Sequence, residues 1–97
     1  MLKLKFNDDA IKDLERLKKD RSNIRILKEV SKTLNLMQEN LRHPSLNTHE
    51  YKGIKGPNGE KVFEAYVQQK TSGAYRIFWR YGPEQKTITI IAIVSHP

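Results

Sequence analysis

The sequence predicts an α+β domain: an N-terminal strand, a helical hairpin, then a meander of three to four antiparallel strands with the helices packed on one face of the sheet. Three observations predict it. The apolar period is two over residues 2–6, near 3.6 from Ala10 to Leu41, and two again after His49. The apolar stripe of the second helix is too long to stay in water, so it must cover a sheet or a partner. The links between the last strands are too short for crossover connections, so those strands run antiparallel.

Residues 2–6 alternate Leu-Lys-Leu-Lys-Phe, a half-buried strand with Leu2, Leu4 and Phe6 inward. Asn7 then serves as a helix N-cap, and Asp8 and Asp9 complement the positive end of the helix dipole. Ala10, Ile11, Leu14 and Leu17 recur at helical spacing, with Lys18 and Lys19 in the last turn. Ser22 or Asn23 caps a second helix, whose stripe is Leu27, Val30, Leu34, Met37 and Leu41. Pro44 ends that helix and holds His43 out of helical geometry. His49, Glu50, Tyr51 and Lys52 form a short strand, and Gly53, Gly56, Pro57, Asn58 and Gly59 mark a loop. Residues 62–69 form a strand with Phe63, Ala65 and Val67 on one face and Glu64, Tyr66 and Gln68 on the other. Thr71, Ser72 and Gly73 form a turn. Residues 74–81 are an aromatic and arginine-bearing strand, and Gly82, Pro83 and Glu84 turn the chain. Residues 86–94 form a last strand, apolar on both faces and therefore central.

The 97 residues fit a single domain spanning 1–97. The formal net charge of +7 is the footprint of a polyanion binder, although an acidic protein partner would suit the same surface. No apolar stretch approaches the roughly 18 residues of a membrane span. The start of the chain lacks the apolar block and small-residue cleavage site of a secretory signal. The absence of cysteine excludes disulfides and thiolate metal sites and fits a reducing cytoplasm, the expected location. Three scattered histidines make no zinc site, and there is no GxxxxGK[ST] phosphate loop. Neither a metal nor an organic cofactor is expected.

Strand parity locates the chemistry. Tyr75, Ile77 and Trp79 point one way, and Arg76, Phe78 and Arg80 the other. The helices need an apolar floor, so Ile77 and Trp79 lie beneath them and Arg76 and Arg80 emerge on the open face, joined by Glu64 and Tyr66. Arginine, tyrosine and carboxylate together suit a phosphate ester. They also suit plain cross-strand ion pairs on a solvated face, each contributing roughly 0.2–1 kcal/mol. Two histidines favour chemistry. His96 lies at the sheet rim beside the start of the Arg76 strand, and His49 borders the glycine-rich loop. Imidazole titrates near neutrality, which suits general acid or base work. His43, beside Pro44, reads as a surface residue without a role.

The succession His49, Glu50, Tyr51, Lys52, Gly53, then Tyr75, Arg76, Ile77, Phe78, then Ser95 and His96, resembles the RelE/ParE superfamily of bacterial toxins over nearly the whole chain. The resemblance implies the toxin of a type II toxin–antitoxin system. It implies an endoribonuclease that cleaves messenger RNA, commonly on the ribosome, and that a cognate antitoxin holds inactive, as a homodimer or a toxin–antitoxin hetero-oligomer. It also implies His49 as general base, Arg76 as transition-state stabiliser, His96 as general acid and Lys52 as part of a basic rim. Lys55, Lys61, Arg80 and Tyr66 complete the expected RNA contacts. The chemistry needs no metal: a base takes the 2′-hydroxyl proton, a guanidinium forks onto the phosphoryl oxygens, and an acid protonates the leaving 5′ oxygen. DNA lacks the attacking group. Two positions depart from the pattern. Glu64 stands where some relatives carry a basic residue, and Pro97 follows His96 where several place an aromatic. The alternatives are a ParE-like toxin that binds DNA gyrase without cutting RNA, and an inactive homologue that only pairs with an antitoxin.

Overall fold

The structure, a computed structural model, describes residues 1–69 and 73–95; the predicted turn at Thr71 and Ser72, and both His96 and Pro97, lie outside the described residues. The elements are β1 (Lys3–Phe6), α1 (Asp8–Lys19), a 3-10 turn (Arg21–Asn23), α2 (Ile24–Glu39), a second 3-10 turn (Pro44–Leu46), β2 (His49–Lys55), β3 (Lys61–Tyr66), β4 (Tyr75–Tyr81) and β5 (Thr87–Ser95). They build one five-stranded sheet in the order β1-β5-β4-β3-β2. β2 to β5 form the antiparallel meander, and β1 joins β5 in parallel after the helical crossover. β5 is flanked on both sides, as its apolar character requires.

The helix starts follow local chemistry. The Asn7 side chain accepts a 2.8 Å hydrogen bond from the Ala10 N–H. Asn7→Ala is expected to cost about 1 kcal/mol and to lower the melting temperature by about 4–8 °C. Thermal unfolding followed by circular dichroism checks this, and an unchanged melting point would mean that the cap contributes nothing. Asn23, one of the two expected residues, takes the N-cap position of α2, and the 3-10 turn before it is capped by Asp20. Its carboxylate accepts the Ser22 N–H at 2.9 Å, whereas Asn23 makes no side-chain cap. That hydrogen bond holds the Asp20 carboxyl below the usual carboxylate range. α2 stops at Glu39, before Pro44, with the Asn40 N–H closing on the Leu36 carbonyl. Leu41 therefore packs on the core from beyond the helix.

Two features of the core depart from simple periodicity. Phe78 pairs with Ala92 and Trp79 with Ile90, so Ile91 is an extra residue in β5. The bulge brings Ile93 onto the same face as Ile88 and Ile90, and all three are buried. In α1 the inward positions are Ala10, Asp13 and Leu17, while Ile11 is 43% exposed. Asp13 Oδ2 accepts the Ile93 N–H at 2.9 Å, and Asp13 Oδ1 accepts from Arg16 at 3.1 Å. β1 pairs with β5 only as far as Phe6 and Ile90. The Asp13 carboxylate thus satisfies a backbone donor of β5 beyond the reach of β1. Among the described residues no helix is long and apolar enough to cross a membrane.

Candidate functional site

The face of the sheet away from the helices brings together residues of three strands. His49 of β2 lies opposite Glu64 of β3, Glu64 opposite Phe78 of β4, and Tyr66 opposite Arg76. Directly opposed residues share a face. Alternation thus placed Glu64, Tyr66 and Arg76 side by side as expected, but the face is not open. Glu64 is 3% exposed, Phe78 8% and Arg76 9%. The Tyr51 ring meets Phe78 edge-on with centroids 4.9 Å apart, and the Arg76 guanidinium lies 3.7 Å over the Tyr66 ring. Val62 is buried on the same face. Aromatic side chains from β2 and β3 fold over this surface and exclude much of the water.

Within that cover the charged groups form a row. His49 Nε2 lies 2.8 Å from Glu64 Oε1, and His49 Nδ1 lies 3.0 Å from the Asn47 carbonyl oxygen. Both neighbours are acceptors, so either contact is a hydrogen bond when the ring nitrogen facing it carries the proton. Glu64 Oε2 lies 3.8 Å from Arg76 Nε. Arg76 Nη1 donates to the Gln68 carbonyl at 2.7 Å and to the Tyr75 carbonyl at 3.2 Å. Those bonds and the Tyr66 ring orient the guanidinium and leave Nη2 without a hydrogen bond among the described residues. Glu64 is the hub of this row. In the sequence, parity already sets it on the face of Arg76 and Tyr66, but nothing there marks it as the residue that joins His49 to Arg76.

The other expected site residues lie apart. Arg80 shares the face with Arg76 but stands four residues further along β4, about 13 Å away. Its Nη1 lies 3.5 Å from Glu60 Oε2. The Glu60 carboxyl is held below the usual carboxylate range by its own backbone N–H and that of Asn58, with the Arg80 charge adding to the effect. Arg80 belongs to this turn and not to the His49–Glu64–Arg76 row. Lys52, Lys55 and Lys61 are exposed, with Lys55 opposite Lys61 in the ladder and 4.0 Å from Glu50. Across residues 49–64 three lysines face three acids, Glu50, Glu60 and Glu64. The basic rim expected around the loop is therefore balanced out. His43 has a structural task, since its Nδ1 accepts the Ser45 N–H at 3.2 Å and caps the second 3-10 turn. A surface cavity of about 510 Å³, lined by Leu41, Phe63, Trp79 and Tyr81 among others, lies elsewhere and holds no carboxylate. Among the described residues no cluster of His, Asp and Glu could hold a metal ion.

The sheet and its helical hairpin have the fold of RelE/ParE superfamily toxins. A family model described as "ParE toxin of type II toxin-antitoxin system, parDE" matches residues 4–96, and the chain belongs to that family. Among solved structures, the YoeB/ParE toxin from Agrobacterium tumefaciens superposes with a TM-score of 0.72 at 11% identity, covering 99% of this chain and 100% of that one. A metal-bound toxin from Helicobacter pylori gives 0.68 at 21% identity, covering 99% and 96%. The intact E. coli RelBE toxin-antitoxin complex gives 0.66 at 13% identity, covering 100% and 99%. At such identities the likeness carries the fold alone. No curated protein matches the sequence.

Proposed function

We propose that this toxin is an endoribonuclease that cleaves messenger RNA through its own 2′-hydroxyl, on the ribosome, and that an antitoxin silences it by covering the charged row. One observation carries the reading: an imidazole, a buried carboxylate and a guanidinium stand in sequence across three strands, and the guanidinium Nη2 makes no hydrogen bond among the described residues. Such a row supplies proton transfer and phosphoryl stabilisation in one place. His49 Nε2 is held by Glu64, so neutral His49 takes the 2′ proton on Nδ1 and the Glu64 carboxylate stabilises the imidazolium that forms. Arg76 Nη2 meets the phosphoryl oxygen on which charge builds. His96 protonates the leaving 5′ oxygen, a role that rests on the family resemblance. The products are a 2′,3′-cyclic phosphate and a 5′-hydroxyl.

The test is to induce the toxin in cells and map RNA ends for wild type, Glu64→Gln and His96→Gln. Wild type is expected to yield cyclic-phosphate ends, and each variant about 100-fold fewer. Growth arrest with intact transcripts would overturn the nuclease reading. The second reading, a toxin that binds DNA gyrase, is favoured by the match to the ParE family model. It expects chromosome damage in the same cells, unchanged by Glu64→Gln.

A further inference from the structure

Alternation alone puts Gln68 on the face of Glu64 and Tyr66, but its side chain turns the other way. The ladder between β3 and β4 ends at the pair Tyr66 and Arg76. The next two backbone donors, the N–H groups of Val67 and Gln68, both turn to the Tyr75 carbonyl, at 3.1 and 3.4 Å. Two residues facing one is the pattern of a bulge, which breaks the alternation. Val67 packs on the core, and the Gln68 side chain also reaches the helical layer. There its Nε2 donates to Glu29 Oε2 of α2 at 2.7 Å, while its Oε1 accepts the Tyr75 N–H at 3.1 Å.

The two residues joined in this way, Gln68 and Tyr75, are the two whose carbonyls orient Arg76. Arg76 Nη1 donates to the Gln68 carbonyl at 2.7 Å and to the Tyr75 carbonyl at 3.2 Å. Tyr75 is held by its pairing with Ser95 of β5. Gln68 lies past the last β3–β4 pair, so its carbonyl depends on what its own side chain grips. The amide uses both ends, an oxygen that only accepts and a nitrogen that only donates. The Glu29 carboxylate makes the second bond charge-assisted and so the stronger of the two. Gln69 adds a tether to the same layer, its Nε2 donating to the Ser45 carbonyl at 2.8 Å.

We infer that Gln68, anchored by Glu29, is the positioning residue for Arg76: the bridge from α2 places the Gln68 carbonyl, the carbonyl fixes Nη1, and Nη1 fixes where the rest of the guanidinium stands. Both side chains act through a main-chain oxygen, so neither is a catalytic group. An aliphatic side chain at position 68 could still pack on α2, but it could not tie Tyr75 and Glu29 together. A reacting group displaced by about 1 Å costs up to roughly 100-fold in rate. The effect on cleavage rests on the nuclease reading; the effect on Arg76 does not.

The test makes two measurements on the full chain. Single-turnover cleavage of messenger RNA on purified ribosomes, titrated with toxin, separates the maximal rate from the half-saturating concentration. Nitrogen-resolved NMR of the Arg76 guanidinium reports how firmly it is held, with no cleavage needed. Gln68→Ala, and Gln68→Glu, which sets a second carboxylate against Glu29, are each expected to lower the maximal rate about 10- to 100-fold at an unchanged half-saturating concentration. Each is also expected to average the Arg76 Nη signals that are separate in wild type. Gln68→Glu combined with Glu29→Gln exchanges donor and acceptor across the bridge, and is expected to recover most of the rate and the separate signals. If Gln68→Ala does not fold, Glu29→Ala removes the same hydrogen bond from the helix side and carries the same expectations. Wild-type rate and wild-type Arg76 signals in a folded Gln68→Ala protein overturn the inference. So do slowed cleavage with unchanged Arg76 signals, a loss confined to half-saturation, and a double exchange no better than Gln68→Glu. A wild type that cuts no RNA overturns the nuclease reading instead, and the Arg76 signals then decide the positioning by themselves.

Discussion

Replacing Arg76 with lysine is expected to reduce RNA cleavage by about 100- to 1,000-fold while the protein stays folded. The guanidinium does several things at once. Nη1 donates to the Gln68 and Tyr75 carbonyls, Nε faces Glu64, the plane lies on Tyr66, and Nη2 makes no hydrogen bond among the described residues. An ammonium keeps the charge beside Glu64 but has neither the planar fork nor the reach to serve both the carbonyls and a phosphoryl oxygen. Arg76→Ala is the less informative change. It leaves Glu64 buried with one cationic partner fewer, and breaking a buried pair costs about 3–5 kcal/mol, so lost activity would be confounded with unfolding. Single-turnover cleavage of a purified RNA, with thermal unfolding measured alongside, separates the two effects. Wild-type cleavage by a folded Arg76→Lys protein would remove Arg76 from the chemistry.

Trp79→Ala is expected to produce the largest loss of stability, about 3–5 kcal/mol. The side chain is fully buried, stacked on Phe63 with centroids 4.9 Å apart and in edge contact with Tyr81 at the same distance. It belongs to the cluster that also contains Met37 and Leu46, so its removal opens a cavity where the sheet meets the helical layer. Domains of this size are stable by about 5–15 kcal/mol, so a large fraction of the total is at stake. Trp79→Phe is expected to cost less, because the indole Nε1 has no hydrogen-bond partner among the described residues and the change removes no hydrogen bond. Urea denaturation of both variants provides the comparison. Trp79→Ala within about 1 kcal/mol of wild type, as a threshold for core truncations, would contradict the packing account.

Several parts of the candidate site could be read from alternation alone. Arg76, Tyr66 and Glu64 share a face because they occupy matching parity on neighbouring strands. Their number and order along the chain required no tertiary information. The same rule said nothing about what lies above them, and so the face was expected to be open. Tyr51 closes it from a strand whose pairing with β3 shifts register between Glu50 and Lys55. That shift has no signature in a period-two pattern. Arg80 shows the converse: its parity was right, but its partner Glu60 comes from a turn, and partnership decides whether an arginine serves a site or a loop.

The sequence by itself determined the order of the elements, the start of α1 at Asn7, the central place of the last strand and the excess of positive charge. These follow from contacts between neighbours in the chain and from composition, which need no knowledge of distant residues. Only the tertiary structure decided that Ile91 is bulged, that Asp13 turns inward to Ile93, that His49 is tied to Glu64, and that Arg80 serves Glu60 and not the row. Each depends on residues far apart in the chain meeting in space, and what a side chain does there is set by the donor, acceptor or ring it meets.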